Sequence, residues 1–303
     1  MQETPKSIVF GKNGFLGSHL NRFDPKNQNS YFGYKSAQNK LIITNKENPI
    51  IELPWSYEAL VSVIHKLQPN EIINTIALIN AEHCEKSPLL AEQANSEIPA
   101  VLATAASQVG ATMVQISTDA VFGQVGSHFS ENDEPHPISV YGKTKRQGEM
   151  AVMALAPKHL IIRTNFYGYH KTKQTLFNYF YQNLLLDRKV HGYEDVIFNP
   201  VYVKDLVHGM RKFIDARVQG ILHFVGDEVL SKFDFGSRIS QEIGQHSGQL
   251  TRQMFQGFET QSHPKLDLTL SSEIRKALYT CTFDIGSGIR DAILDVKADR
   301  NEL

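Results

Sequence analysis

A short apolar strand running straight into a glycine turn constrains this chain more than any other segment. Ser7-Ile8-Val9-Phe10 is uncharged and rich in β-branched residues, and it stops at Gly11. Such a run marks a strand buried on both faces, as in a parallel sheet. Gly11-Lys12-Asn13-Gly14-Phe15-Leu16-Gly17 follows, and Ser18-His19-Leu20 begins a short helix. In a strand–turn–helix context a glycine pattern points to dinucleotide binding. One glycine permits the tight turn, the next lets a pyrophosphate approach the backbone, and the last lets the helix pack close to the strand. The helix N-terminus then offers its N–H groups to phosphate. The candidate cofactor contacts are Gly11, Asn13, Gly14, Phe15, Leu16 and Gly17. The spacing is G-x-x-G-x-x-G rather than G-x-G-x-x-G, so a structural turn with packing glycines stays open as the second reading.

An acid that holds a ribose 2′-hydroxyl belongs about 20 residues further on. The region instead reads Tyr31-Phe32-Gly33-Tyr34-Lys35-Ser36. Lys35 can meet a 2′-phosphate and Ser36 can add a hydroxyl, which favours NADP over NAD. A solvated surface lysine is the alternative.

Strand and helix patterns alternate from there. Ser30 to Gly33 and Leu41 to Ile43 read as strands. Tyr57 to Leu67 reads as a helix stopped by Pro69, and Glu71 to Ile76 as a strand. Asn95 to Val109 is a helix ended by Gly110, Thr112 to Ile116 a strand, Tyr141 to Leu155 a helix and Leu160 to Ile162 a strand. This alternation is the signature of βαβ units and a parallel sheet covered by helices. The fold class expected is α/β: a Rossmann-type doubly wound parallel sheet with a smaller mixed α/β C-terminal lobe.

The second half is less regular. Leu176 to Leu186, Val203 to Asp215 and Ser231 to Ile243 read as helices, Ile221 to Val225 as a strand, and Gln245 to Pro264 as irregular. The aromatic run Phe177, Tyr179, Phe180 and Tyr181 fits helix packing better than base stacking. With 303 residues the chain has room for two domains or one large one. The division expected is a cofactor domain over 1–165 and a substrate lobe over 166–303, with segments near 196–225 returning to the first sheet.

Composition removes several function classes. The 31 Lys and Arg against 32 Asp and Glu leave a net charge of −1, which argues against a nucleic-acid wrapper or a membrane-surface binder. No apolar run reaches the roughly 18 residues a membrane helix needs, and the opening residues do not read as a signal peptide. Two cysteines, Cys84 and Cys281, give no disulfide framework and fit a reducing cytosol. The histidines show no close metal-ligand spacing, so no metal is expected.

The second chemical feature is Tyr141-Gly142-Lys143-Thr144-Lys145. At i,i+4 on a helix, Tyr141 and Lys145 share a face, and the lysine charge can lower the phenol from its usual value of about 10. The spacing alone says little, because Tyr31/Lys35, Tyr167/Lys171 and Tyr169/Lys173 repeat it. Placement singles out Tyr141: its helix follows the strand-end segment Ser117-Thr118-Asp119, and sites in open α/β sheets form at the carboxyl ends of strands. A strand-end turn and surface residues are the alternative.

Taken together, the GxxGFLG turn, Asn74-Thr75-Ile76-Ala77, Ser117 to Phe122, the acidic stretch Ser130 to Pro135, Val140 to Lys145, Ile162-Arg163-Thr164 and Phe198 to Val203 resemble an extended short-chain dehydrogenase/reductase of the dTDP-4-dehydrorhamnose reductase branch. The resemblance covers most of the chain and fades beyond about Gly244. It implies a Thr/Tyr/Lys set in which Thr118 polarises a carbonyl, Tyr141 is the general acid, and Lys145 holds the nicotinamide ribose and tunes Tyr141. It places Ser117, Ala77 and Asn165 beside the cofactor and gives Asn95 a bracing role. Ala120, where many relatives carry Tyr, and the loop from Leu78 to Cys84 depart from the pattern. The function implied is an NADP-dependent reductase of a 4-keto sugar on a nucleoside diphosphate, in the cytoplasm, with a homodimer left open. Its rivals are a nucleotide-sugar epimerase and a non-catalytic regulatory subunit like that of methionine adenosyltransferase.

Overall fold

The computed structural model describes residues 7–26, 30–35, 37–45, 48–123, 126–244, 249–256 and 266–301. Ser36 and much of the stretch expected to be irregular between Gln245 and Pro264 lie outside them. The chain runs β1 (Ser7–Phe10), α1 (Phe15–Phe23), β2 (Ser30–Lys35), β3 (Lys40–Asn45), β4 (Asn48–Pro54), α2 (Tyr57–Leu67), β5 (Glu71–Asn74), α3 (Ala81–Lys86), α4 (Pro88–Glu92), α5 (Ile98–Val109), β6 (Thr112–Thr118), α6 (Val140–Leu155) and β7 (His159–Thr164). It continues with β8 (Phe166–Tyr167), α7 (Leu176–Leu185), β9 (Val190–Tyr193), β10 (Val196–Phe198), β11 (Val201–Tyr202), α8 (Val203–Asp215), β12 (Gly220–His223), β13 (Leu230–Ser231), α9 (Lys232–Glu242), β14 (Leu250–Gln253), β15 (Leu266–Asp267), α10 (Glu273–Leu278) and α11 (Ile285–Asn301).

Two compact units emerge. The first comprises 1–121, 137–163 and 207–222, and the second 122–136, 164–206 and 223–303. The main sheet has the strand order β12-β7-β6-β5-β1-β2-β3-β4. Strands β2, β1, β5 and β6 pair in parallel. The β1 residues Ser7 to Phe10 are all buried, which accounts for their unbroken apolar run. Burying each of Ile8, Val9 and Phe10 contributes on the order of 1.5–3 kcal/mol. Ile8 and Phe10 join a core with Leu60, Ile64, Ile72, Leu102, Met113 and Ile161.

From β1 the chain passes to β2 on one side, and β5 later returns on the other. That reversal opens a crevice at the carboxyl ends of β1 and β5. The sheet is not parallel to its edge: β2, β3 and β4 form an antiparallel meander. Strand β4 was not foreseen from the sequence. Its residues are mostly exposed, and Pro49 and Pro54 near its ends are tolerated because it lies at the edge.

Two of the first unit's helices start where serines cap them. Ser56 accepts the Ala59 amide for α2 and Ser139 accepts the Gly142 amide for α6. Before α5, Gln93–Glu97 form a π-helical turn that carries Asn95.

The second unit holds three small sheets, ordered β13-β10-β15, β11-β8 and β14-β9. Ser231 and Asp234 form a reciprocal capping box on α9. Phe177 and Phe180 are buried, and Phe180 meets Phe235 edge-on at 6.3 Å, so the α7 aromatics are packing residues. Asn199 stitches two segments together, its side chain donating to the Leu270 carbonyl and accepting the Leu270 amide. Among the described residues no helix is long and apolar enough to cross a membrane.

Candidate active site

The glycine turn is built from contacts that exclude side chains. Gly11 has φ +102°, open to glycine and strained for other residues. Its N–H and that of Lys12 both donate to the Gly33 carbonyl, at 2.8 and 3.2 Å. A Cβ on Gly17 would fall onto the Gly11 carbonyl, and one on Gly14 would lie 3.1 Å from the same oxygen. Helix α1 therefore lies directly on the turn. It has no side-chain cap at Gly14 and no acid in its first turn, so its N-terminal amides and dipole favour an anion. Asn13 is exposed, Phe15 half-buried, and Leu16 buried in the core.

Lys12, which the glycine motif does not mark, lies inside the turn. It is buried and donates to Thr44 Oγ1 at 3.3 Å. Lys35 is exposed at the carboxyl end of β2, with its ammonium 5.5 Å from the centre of the Trp55 ring. Thr75 closes the crevice floor, donating to the Phe10 carbonyl through its amide at 2.9 Å and its hydroxyl at 2.8 Å. Ala77 follows in a half-buried loop. Asn95 holds that loop: its side chain accepts the Leu78 amide and donates to the Leu78 carbonyl and the Thr144 hydroxyl.

The structure brings Thr118 and Tyr141 together. The Thr118 hydroxyl donates to Asp119 Oδ1 at 2.9 Å and accepts the Ala120 amide at 3.2 Å, and it lies near enough to the Tyr141 phenol to favour its ionised form. Gly142 makes this approach feasible, because a Cβ there would strike the Ala120 carbonyl. Burial pushes the Tyr141 phenol above its ordinary value. The nearby Thr118 hydroxyl works against that, and the negative charge of Asp119 adds to it.

Lys145 lies one turn further along α6, fully enclosed, and its ammonium donates to the Ile116 carbonyl at 2.6 Å. The sequence reading had Lys145 lowering the Tyr141 phenol. Here burial and nearby negative charge set the phenol, and the ammonium is engaged by a backbone carbonyl. Ser117, expected beside the cofactor, directs its hydroxyl to Glu149 Oε1 at 2.5 Å. Asn165 belongs to the second unit, where its carbonyl accepts the Val201 amide.

Burial lowers the Lys145 ammonium from 10.5 to about 8, partly opposed by Glu149. Between those values the unfolded chain binds more protons than the folded one, so stability rises with pH across the window. The total is on the order of 3 kcal/mol. Lys145→Met is expected to remove this slope. Urea titrations of both proteins at pH 8 and pH 10, the limits set by that shift and by tyrosine ionisation, measure it; parallel curves for the two proteins would refute it.

A doubly wound sheet with a phosphate-type glycine turn on its first strand, and a Tyr/Lys helix beside the end of a middle strand, is the architecture of an extended short-chain dehydrogenase/reductase. The sequence model described as RmlD substrate binding domain matches residues 6–269, and the chain belongs to that family. It is 29% identical over 221 residues to a dTDP-4-dehydrorhamnose reductase of Aggregatibacter actinomycetemcomitans, covering 67% of this chain and 73% of that one. It is 26% identical to the methionine adenosyltransferase 2 subunit beta of Pongo abelii, over 80% of this chain and 73% of that one. In fold it is similar to a dTDP-4-dehydrorhamnose reductase from Bacillus anthracis solved in complex with NADP, with a TM-score of 0.81 and 23% identity over 96% and 99% of the two chains.

Proposed function

We propose that the chain is an NADP-dependent reductase of a 4-keto sugar carried on a nucleoside diphosphate. The observation that carries this reading is the approach of Thr118 to the buried Tyr141 phenol at the end of β6, with Lys145 one turn along the same helix. The turn fits the cofactor. The space that Cβ atoms on Gly14 and Gly17 would fill is closed by backbone, and the α1 N-terminus is uncapped by any side chain. The first amides of α1, at Phe15, Leu16 and Gly17, would hold the diphosphate where Gly11 and Gly14 leave the backbone bare, and Lys35 the 2′-phosphate. When bound, the nicotinamide supplies the hydride.

The chain's own residues do the rest. The raised Tyr141 phenol is protonated at neutral pH, which is the form an acid catalyst requires. Tyr141 Oη donates its proton to the ketone oxygen as negative charge develops there. Thr118 orients that oxygen with a second hydrogen bond, turning toward it the one hydroxyl proton that Asp119 otherwise accepts. Asp119 and the Ala120 amide fix the Thr118 rotamer. Lys145, buried one turn along α6 with its ammonium on the Ile116 carbonyl, would hold the nicotinamide ribose. The division into a cofactor domain to about residue 165 and a substrate lobe beyond it, with segments near 196–225 returning to the first sheet, belongs to the same proposal, as does a cytoplasmic setting, which two free cysteines support.

The names of the reductase relatives support the substrate class. The test is NADPH oxidation, followed by absorbance, against a panel of nucleoside-diphospho-4-keto sugars. One NADPH consumed per ketone reduced is expected, with NADH used less well. Turnover without net NADPH consumption would move the assignment to an epimerase. No turnover on any sugar, with tight binding to a protein partner, would move it to a regulatory subunit.

A further inference from the structure

Behind the Thr118/Tyr141/Lys145 set lies a buried carboxylate that the proton transfer does not use. Glu149 sits on α6 one turn beyond Lys145, so the two side chains share a helix face. Both of its oxygens are doubly engaged. Oε1 accepts from the Ser117 hydroxyl at 2.5 Å and Arg163 Nε at 2.9 Å, and Oε2 from Arg163 Nη2 at 2.9 Å and Arg146 Nη1 at 3.1 Å. Ser117 comes from β6 and Arg163 from β7, so one carboxylate ties the catalytic helix to two neighbouring strands. The Ile116 carbonyl that receives the Lys145 ammonium immediately precedes Ser117 in the same strand. The Gln115 side chain donates to that carbonyl as well, at 2.9 Å.

A fully buried ion pair is a poor device for stability alone, because apolar residues of the same volume often serve as well. What a carboxylate gives here is direction and charge. Two arginines face the one carboxylate. The bidentate Arg163 fork fixes its plane.

We propose, on the reductase reading above, that Glu149 clamped by Arg163 is the positioning residue for Lys145. It fixes the end of β6 from which the ammonium hangs, and it supplies the negative charge that keeps that side chain an ammonium in a buried site. Asp119 and Cys84 face Tyr141 instead. Glu149 is the charge that acts on Lys145 from its own helix, with Arg146 on α6 and Arg163 on β7 sharing the carboxylate.

The test compares wild type with Glu149→Gln, which keeps the size and the Ser117 partner but removes the charge. Two readouts are taken: the pH profile of kcat, and the titration of the Lys145 ammonium by NMR of 15N-lysine-labelled protein, assigned with Lys145→Arg. Without the anion the ammonium loses its proton more easily. Both the alkaline limb of kcat and the NMR midpoint should therefore move to lower pH, by about one unit. Glu149→Gln leaves Arg163 buried without its counter-charge, so Glu149→Gln/Arg163→Met is measured beside it, and a smaller shift of the same sign is expected. A lower melting temperature with an unmoved Lys145 midpoint in both variants would mark the pair as purely structural and overturn the proposal. A wild type inactive on every keto sugar would overturn the reductase reading instead, and the NMR midpoint would still decide the role of Glu149.

Discussion

Tyr141→Phe is expected to lower kcat by about 10²–10⁴-fold, the usual contribution of a positioned general acid, while NADPH binds as it does to the wild type. The substitution removes one oxygen and leaves the ring in place. The lost atom lies close to Thr118 and within the influence of Asp119. Phenylalanine therefore takes away the proton donor without changing the glycine turn, whose contacts run among Gly11, Gly17 and Gly33. Steady-state kinetics on the best keto sugar, together with NADPH fluorescence titration, separates the two effects. Equal losses in turnover and cofactor affinity would mean that Tyr141 is a packing residue. Unchanged turnover would remove the Thr118/Tyr141/Lys145 assignment altogether.

How much of this site could be read from the sequence depends on what kind of demand each residue meets. Gly11 and Gly17 were legible because a positive φ and a carbonyl in Cβ contact can be met by glycine and by little else. Thr118 and Tyr141 were legible from order along the chain: one ends a strand, the other starts the next long helix. The same order disposes of the repeated Tyr-x-x-x-Lys spacings. Tyr31 and Lys35 lie in the extended strand β2, where four residues span about 13 Å, and Tyr167 sits in β8 with its hydroxyl on the Ile285 carbonyl.

The partners of Lys145 and Ser117 were not legible. A backbone carbonyl such as that of Ile116 carries no residue signature. The contact between Ser117 and Glu149 joins positions 32 residues apart that only the helix-on-sheet packing brings together. The same limit applies to the fold. The buried parallel strands announce themselves by continuous apolar runs, whereas the exposed edge strand β4 mixes proline, glutamate and isoleucine and has no clear period. Helices α3, α4, α10 and α11 were likewise not foreseen; α3, α4 and α10 are five or six residues long, too short to show a helical period.

The largest stability effect is expected away from the chemistry. Arg211→Ala should cost about 3–5 kcal/mol, the usual result of leaving buried charges uncompensated, out of a total that rarely exceeds about 15. Arg211 projects from α8, the helix by which a segment of the second half returns to the first unit. Its Nε and Nη2 donate to the two oxygens of Asp24 at 3.0 and 2.6 Å, and its Nη1 donates to Glu71 Oε2 at 2.7 Å. The Ser7 hydroxyl donates to the same Glu71 oxygen at 2.6 Å. Ser7 and Glu71 begin β1 and β5, so the guanidinium fastens α8 to the amino-terminal edge of the strands whose carboxyl ends carry the crevice. A whole sheet length separates it from the glycine turn. Arg211→Ala should accordingly lower the denaturation midpoint steeply, with KM for NADPH and kcat intact at temperatures where the variant is folded. Arg211→Met combined with Asp24→Asn and Glu71→Gln should recover much of the loss, because no buried charge is then left alone. If the single and triple variants were equally unstable, the arginine's contribution would be its packing volume rather than its charge.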